Sequence, residues 1–214
     1  MREKSPQIIL LSSSFILLTF FVAAQLTRPF DLWFTRLVQH EGNLFLDYAM
    51  CVFTIPGHVE VSTCILVAVT WYLYRKYEWP GAFLYLFFFA VLNLVILVLK
   101  TTLIAPGPGL EFDRNPFLWK TVQVSLPYAF PSGHTFRSVF LFGMWYQRLA
   151  QKGPGIAGNI KFQKGLVAAI IIATVISRVY LGDHWFSDVI GGMILAVLGV
   201  LLASQPPDVE LRPA

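Results

Sequence analysis

The chain is expected to be all-α: a polytopic membrane protein with about six transmembrane helices in one bundle, forming a single integral membrane domain over residues 1–214. Three observations point there. Charged residues make up 13% of the sequence, whereas soluble domains carry roughly 25%. The mean hydropathy is +0.64. The apolar residues are gathered into long runs separated by short charged or Pro/Gly-rich connections, which is the pattern of a chain whose solvent is lipid.

A span needs roughly 20 apolar residues at 1.5 Å rise. The first run, 8–26, follows Arg2, Glu3 and Lys4. It is long for a signal peptide and no A-x-A site follows, so it reads as a retained span. Residues 28–45 carry Phe30, Leu32, Trp33, Phe34, Leu37 and Val38 and read as an interfacial helix, an anchor more than a lid over a site. The second span, 59–73, extends back toward Cys51 with a break at Pro56 and Gly57, and a short connection over 74–81 leads to the third, 83–103. The connection over 102–130 is broken by Pro106, Pro108, Pro116 and Pro127 and cannot be one helix. The fourth span is 132–149, the fifth 165–180 and the sixth 185–203, with a Gly/Pro loop at 151–164 before the fifth.

Lys and Arg collect in the connections on one face: Arg2, Lys4, Arg75, Lys76, Arg148, Lys152, Lys161, Lys164 and Arg212. That face is expected to be cytoplasmic. The opposite face holds Arg28, Arg36, Arg114 and Lys120, with Lys100 and Arg178 at span ends. The net charge of +4 is scattered and forms no stripe, which argues for an anionic membrane surface and against nucleic acid. Cys51 and Cys64 lack metal-ligand spacing and read as packing residues. Trp71, Trp79, Trp119 and Trp185 fall at span boundaries as an aromatic belt.

Ionisable residues at membrane depth are costly and mark function. Alternation of the spans brings Lys100, His134, Arg178, His184 and Asp188 to one face and one depth. Ser132, after Pro131, sits at an N-cap position, and Gly133 lets backbone approach a ligand; a helix N-terminus there suits phosphate. Arg178 can hold two phosphate oxygens and Lys100 adds charge. His184 and Asp188 are i and i+4, so on a helix they share a face. The carboxylate can accept Nδ1–H and leave Nε2 free to attack phosphorus. His134 can protonate the departing alkoxide. The set is a two-step phosphoryl-transfer site in which cations stabilise charge, with no cofactor and no metal required.

These residues carry a resemblance. Pro131-Ser132-Gly133-His134 and the run SRVYLGDHWFSD at 177–188 are similar to the second and third motifs of the type 2 phosphatidic acid phosphatase superfamily, the core motifs here lying within 100–192. The resemblance implies a phosphohistidine on His184, Asp188 as its orienter, and His134 as acid and then base. It also implies phosphate binding by Lys100, Ser132, Gly133 and Arg178 without a metal cofactor. One position departs. The first motif of that family is Lys, six residues, Arg, Pro, and here Lys100 is followed at that spacing by Gly107 and Pro108. Arg137, one turn beyond His134, is the expected replacement for the missing cation. Arg114 is a second candidate, its plainer reading a loop charge paired with Asp113. Arg28, before Pro29, reads as a boundary charge. His58 and Glu60 read as interfacial and helix-start residues, His40 and Glu41 as solvated, and Asp183 as a cap or as a neighbour tuning His184.

The expected function is hydrolysis of a phosphomonoester or diphosphate on a lipid, because the site lies where an amphiphile can enter from the bilayer. Undecaprenyl diphosphate, phosphatidylglycerophosphate, phosphatidate and a glycolipid phosphate all fit. A lipid phosphotransferase and a catalytically inactive lipid-phosphate binder remain as alternatives. The expected setting is a bacterial plasma membrane with the site on the extracytoplasmic face.

Overall fold

The structure, a computed structural model, describes residues 5–117, 128–150 and 157–204. The charges expected at Arg2, Lys4, Lys120, Lys152 and Arg212, together with Trp119 and Pro127, lie outside the described residues. Among the described residues there is helix and no strand. The helices are α1 (Ser5–Ala23), α2 (Arg28–Gln39), α3 (Leu44–Thr54), α4 (Val59–Thr102), α5 (Gly133–Ala150), α6 (Ala157–Tyr180) and α7 (Phe186–Ala203). Single 3-10 turns stand at Ile55–Gly57 and Leu110–Phe112.

α4 has helical backbone through 44 residues, which would be about 66 Å if straight. Its two ends nevertheless meet. The ring of His58, which caps its start, lies 5.0 Å from the ring of His134, and Lys100 near its end donates to the Ala129 carbonyl at 2.7 Å. The run therefore folds back into two arms, Val59–Tyr72 and Phe83–Thr102. Ile65, Leu66 and Val69 of the first pack into the same core as Tyr85, Phe89, Leu92 and Ile96 of the second. This is the antiparallel pair the sequence predicts, except that helical backbone continues through the expected 74–81 connection.

Four segments are long and apolar enough to cross a bilayer: Ser5–Ala23, Phe83–Thr102, Ile160–Tyr180 and Phe186–Ala203. Leu44–Gly57 and Val59–Tyr72, bent by 45°, make a fifth if taken as one broken span. The chain is thus a multi-pass membrane protein, and α5 separates this count from the six read in the sequence. α5 is the central helix, packed by α4, α6 and α7. It buries Thr135, Ser138, Phe136 and Phe140 and carries Arg137, so little of its surface needs to satisfy lipid. The lipid-facing burden falls on helices such as α1, which leaves Ile9, Leu10, Ile16 and Phe20 exposed.

Two boundaries are corrected. α6 begins at Ala157 instead of 165, taking Lys161 and Lys164 out of the loop and into its first turns. The interfacial segment ends at Gln39, because Asn43 starts a new helix by accepting the Leu46 N–H at 3.0 Å.

Candidate active site

The site forms where four pieces of chain meet: the start of α5, the turn between α6 and α7, the end of α4, and the break between α3 and α4. Ser132 is fully buried and caps α5, its Oγ accepting from the Thr135 N–H at 3.3 Å and the Thr135 hydroxyl at 3.0 Å. The Ser132 N–H donates to the Asp188 carbonyl at 2.9 Å, which fastens this loop to α7. Gly192 permits the approach: a Cβ there would collide with the Ser132 carbonyl oxygen. First-turn N–H groups have no partner within their own helix, so the start of α5 offers donors to an anion.

His184 sits in the turn that follows α6. The N–H groups of Asp183 and His184 both donate to the Arg178 carbonyl at 3.2 Å, and Gly182 adopts φ +75° to make the reversal. The His184 and Asp188 side chains meet, Nδ1 to Oδ2, at 3.5 Å. That is ion-pair range and longer than a hydrogen bond; the same Oδ2 accepts the Trp185 N–H at 2.9 Å. Their pairing differs from the expected helix-face geometry. α7 starts at Phe186 with Trp185 extended at its N-cap, so the two side chains converge across the capping turn. Burial, and then the charges of Lys100, Arg178 and Arg137, hold the His184 imidazole well below its ordinary pKa.

The cations surround this turn. Arg178 is 4% exposed; its Nη1 donates to Thr54 Oγ1 and its Nη2 pairs with Asp183 at 3.0 Å. Arg137 donates through Nε to the Gly57 carbonyl at 2.9 Å. Its Nη1 lies only 3.0 Å from where a Cβ of residue 133 would stand, so the guanidinium folds back to the start of α5 and Gly133 makes room for it. Lys100 reaches the carbonyls of Ala129 at 2.7 Å and Tyr128 at 3.3 Å. His134 Nε2 is buried with no hydrogen-bond partner among the described residues.

The remaining candidates separate clearly. Arg114 forms a two-pronged pair with Asp47 at 2.9 and 3.2 Å, and Tyr180 donates to the same carboxylate at 2.8 Å. It is thus committed to Asp47, not to Asp113 as its plainer reading held. Arg28 is more than a boundary charge, since its guanidinium stacks 4.1 Å over the Trp185 ring. His58, which the sequence reads as interfacial, lies against His134. Thr54 and Gly57 were missed as partners of Arg178 and Arg137; their signal was the Pro56-Gly57 break beside them. Among the described residues no three His, Cys, Asp or Glu side chains are grouped to hold a metal ion.

Comparison with known proteins gives a consistent result. The family model of the PAP2 superfamily matches residues 81–208. Phosphatidylglycerophosphatase B of Bacillus subtilis (strain 168) is 28% identical over 134 residues, 63% of this chain and 61% of that protein's length. The crystal structure of the first transmembrane PAP2 type phosphatidylglycerolphosphate phosphatase from Bacillus subtilis superposes with a TM-score of 0.74 at 22% identity, covering 92% of this chain and 93% of that one. Aquifex aeolicus LpxE superposes with a TM-score of 0.56 at 19% identity over 80% of this chain and 93% of that one. The two structural likenesses show a shared fold.

Proposed function

The chain belongs to the PAP2 superfamily, and from that premise we propose that it hydrolyses a phosphomonoester or diphosphate of a lipid through a phosphohistidine on His184. The observation that carries this reading is the direct tie between the two motif segments, the Ser132 N–H to the Asp188 carbonyl at 2.9 Å. It sets the α5 N-terminus beside the His184 turn, so that a phosphate held by one faces the nucleophile of the other.

In this reading the phosphate is held by the first turn of α5 at Ser132 and Gly133, and by Lys100, Arg178 and Arg137. His184 turns Nδ1 toward Asp188 and attacks phosphorus with its Nε2 lone pair. The P–O bond to the lipid breaks, and the departing oxygen takes its proton from His134. His134 then accepts a proton from water, whose oxygen displaces Nε2 and releases inorganic phosphate. The cations stabilise the charge that develops on the phosphoryl oxygens, so the reaction needs no metal. The whole chain works as one domain, with the site at the extracytoplasmic face of a bacterial plasma membrane.

The name of the 28% identical relative makes phosphatidylglycerophosphate the first substrate to test. Undecaprenyl diphosphate, phosphatidate and a glycolipid phosphate complete a phosphate-release panel in detergent, run with EDTA and with His184→Ala as control. Release by the parent protein and none by the variant is the expected result. Release that requires added divalent metal counts against the mechanism, and release by His184→Ala removes the nucleophile. Gly107, standing where the family has arginine, favours one second reading: a lipid-phosphate binder without turnover. Binding without release across the panel would establish it, and a phosphorylated lipid acceptor would instead mark a phosphotransferase.

A further inference from the structure

α2 lies outside the segment matched by the family model, yet it is tied to both sides of the turn that carries His184. Asp31 is 2% exposed, and both of its oxygens are occupied by one residue of α7. Its Oδ1 accepts the Ser187 N–H at 2.9 Å and its Oδ2 the Ser187 hydroxyl at 2.7 Å. Ser187 is in the first turn of α7, immediately before Asp188. Its N–H is one that the helix itself leaves without a partner, and a carboxylate there complements the helix dipole.

At the other end of α2, Gln39 Nε2 donates to the carbonyls of Tyr180 and Phe112, each at 2.8 Å. Tyr180 is the last residue of α6. Between these two ties, Phe34 packs on Phe186 with ring centroids 4.5 Å apart, and Arg28 covers Trp185. One helix therefore grips the end of α6 and the start of α7, with residues 181–185 held between. A helix that served only to anchor the chain in an interface would need its apolar stripe alone. A buried carboxylate is costly unless its oxygens are satisfied, and here what satisfies them is the segment that presents Asp188.

We propose that Asp31 is a positioning residue for the reaction. By holding Ser187 it fixes the start of α7, and with it the placement of Asp188 against His184. The inference rests on His184 being the nucleophile.

The test uses full-length protein in detergent and four variants: Asp31→Ala, Asp31→Asn, exposed Arg36→Ala on the same helix, and His184→Ala. Two assays are run: phosphate release, giving kcat and KM, and amide hydrogen exchange over 184–190, which does not depend on activity. Asp31→Ala is expected to speed exchange in that segment and to lower kcat roughly tenfold to a hundredfold, the scale of a displaced reacting group, with KM little changed. Asp31→Asn keeps an oxygen for the Ser187 N–H and is expected to recover much of the loss. Arg36→Ala should behave as the parent.

Unchanged exchange in Asp31→Ala would overturn the tie. Faster exchange with kcat within twofold of the parent would overturn the positioning role, as would a kcat loss matched by Arg36→Ala. Activity in His184→Ala would instead bring down the nucleophile, and the catalytic consequence with it, while the exchange result would still report on the tie.

Discussion

In an Arg137→Ala protein two separable contributions disappear. The first is the hydrogen bond from Nε to the Gly57 carbonyl at 2.9 Å, which joins the α3–α4 break to α5. A hydrogen bond from a charged donor contributes about 1.5–3 kcal/mol, and its loss is read as a lower melting temperature. The second is positive charge at the start of α5, where Nη1 comes within 3.0 Å of the Cβ position on Gly133. Removing one donor aimed at developing charge lowers kcat by about 10²–10³. Arg137→Lys keeps the charge on a flexible stem that cannot make both contacts, so its kcat should fall between parent and alanine variant. The Gly107 departure supplies a rescue. A Cβ at 107 would stand 3.2 Å from that of Ala129 and 4.0 Å from the Asp183 carbonyl oxygen, a tight position beside the His184 turn. Gly107→Arg in the Arg137→Ala background should therefore restore at least about tenfold of the lost kcat, the worth of part of one such donor. Phosphate release in detergent, with thermal melts on the same preparations, separates the two contributions. Near-parent kcat in both Arg137 variants would refute the phosphate-binding role, and a lowered melting temperature with unchanged kcat would make Arg137 structural.

Three further outcomes follow from the same geometry. His184 resists protonation because it is buried and then because Lys100, Arg178 and Arg137 lie near it. The unfolded chain binds a proton at about pH 6.5 that the folded site refuses, so stability should fall as pH drops below that value. The proposed nucleophile is held neutral by the same burial and charges; a His184 ring titrating at or above pH 6.5 by NMR would contradict this. Arg114→Ala breaks the pair with Asp47, whose side chains are 26% and 12% exposed. It should cost about 1–3 kcal/mol of stability in thermal melts while kcat stays near parent, since the Arg114 guanidinium is committed to Asp47. Gly182→Ala puts a side chain at φ +75° and into the Phe112 carbonyl. It should lose at least about 1–3 kcal/mol from the backbone conformation alone, together with most phosphate release, and parent-like melts and rates would refute the turn's role.

Much of the candidate site's layout was legible because its residues are packed into two short stretches. Residues 131–134 and 177–188 each specify a helix end, and alternation of the spans brings those ends together without knowledge of packing. What escaped lies between elements far apart in sequence. Besides the nearby Asp183, Arg178 has Thr54 as a partner, 124 residues away, and Arg137 has Gly57, 80 residues away; no local pattern names either distant partner. Asp31 reads as one charge on an amphipathic helix until its Ser187 contact is seen. The expected sixth span is α5, which a rule of length and apolar composition does not count among its four or five segments. A helix enclosed by other helices can carry Thr135, Arg137 and Ser138, and a rule based on lipid exposure takes no account of such neighbours. The Arg114 pairing was misjudged because Asp113 is next to it in sequence, whereas Asp47 is brought to it by the fold.

The break between α3 and α4 is best understood through the cations it serves. A bend at Pro56 and Gly57 gives up regular helix hydrogen bonds, yet Thr54 and the Gly57 carbonyl on either side of it accept from Arg178 and Arg137. Each tie uses only part of a five-donor fork. Arg137 spends Nε on its tie, and Arg178 spends its two terminal nitrogens while its Nε is buried without a partner among the described residues. Side chains already held in one orientation lose less entropy when an anion arrives, so in the proposed reaction the bend would orient a cradle that unrestrained arginines would have to assemble at each binding event. The same bend brings His58 against His134 and leaves so little space that a Cβ on Gly57 would stand 2.9 Å from the His134 carbonyl oxygen. Any side chain at position 57 would therefore displace the Arg137 acceptor and the His134 backbone together. That joint dependence accounts for glycine at the one point where the span, the Arg137 acceptor and the His134 backbone share an atom's width of room.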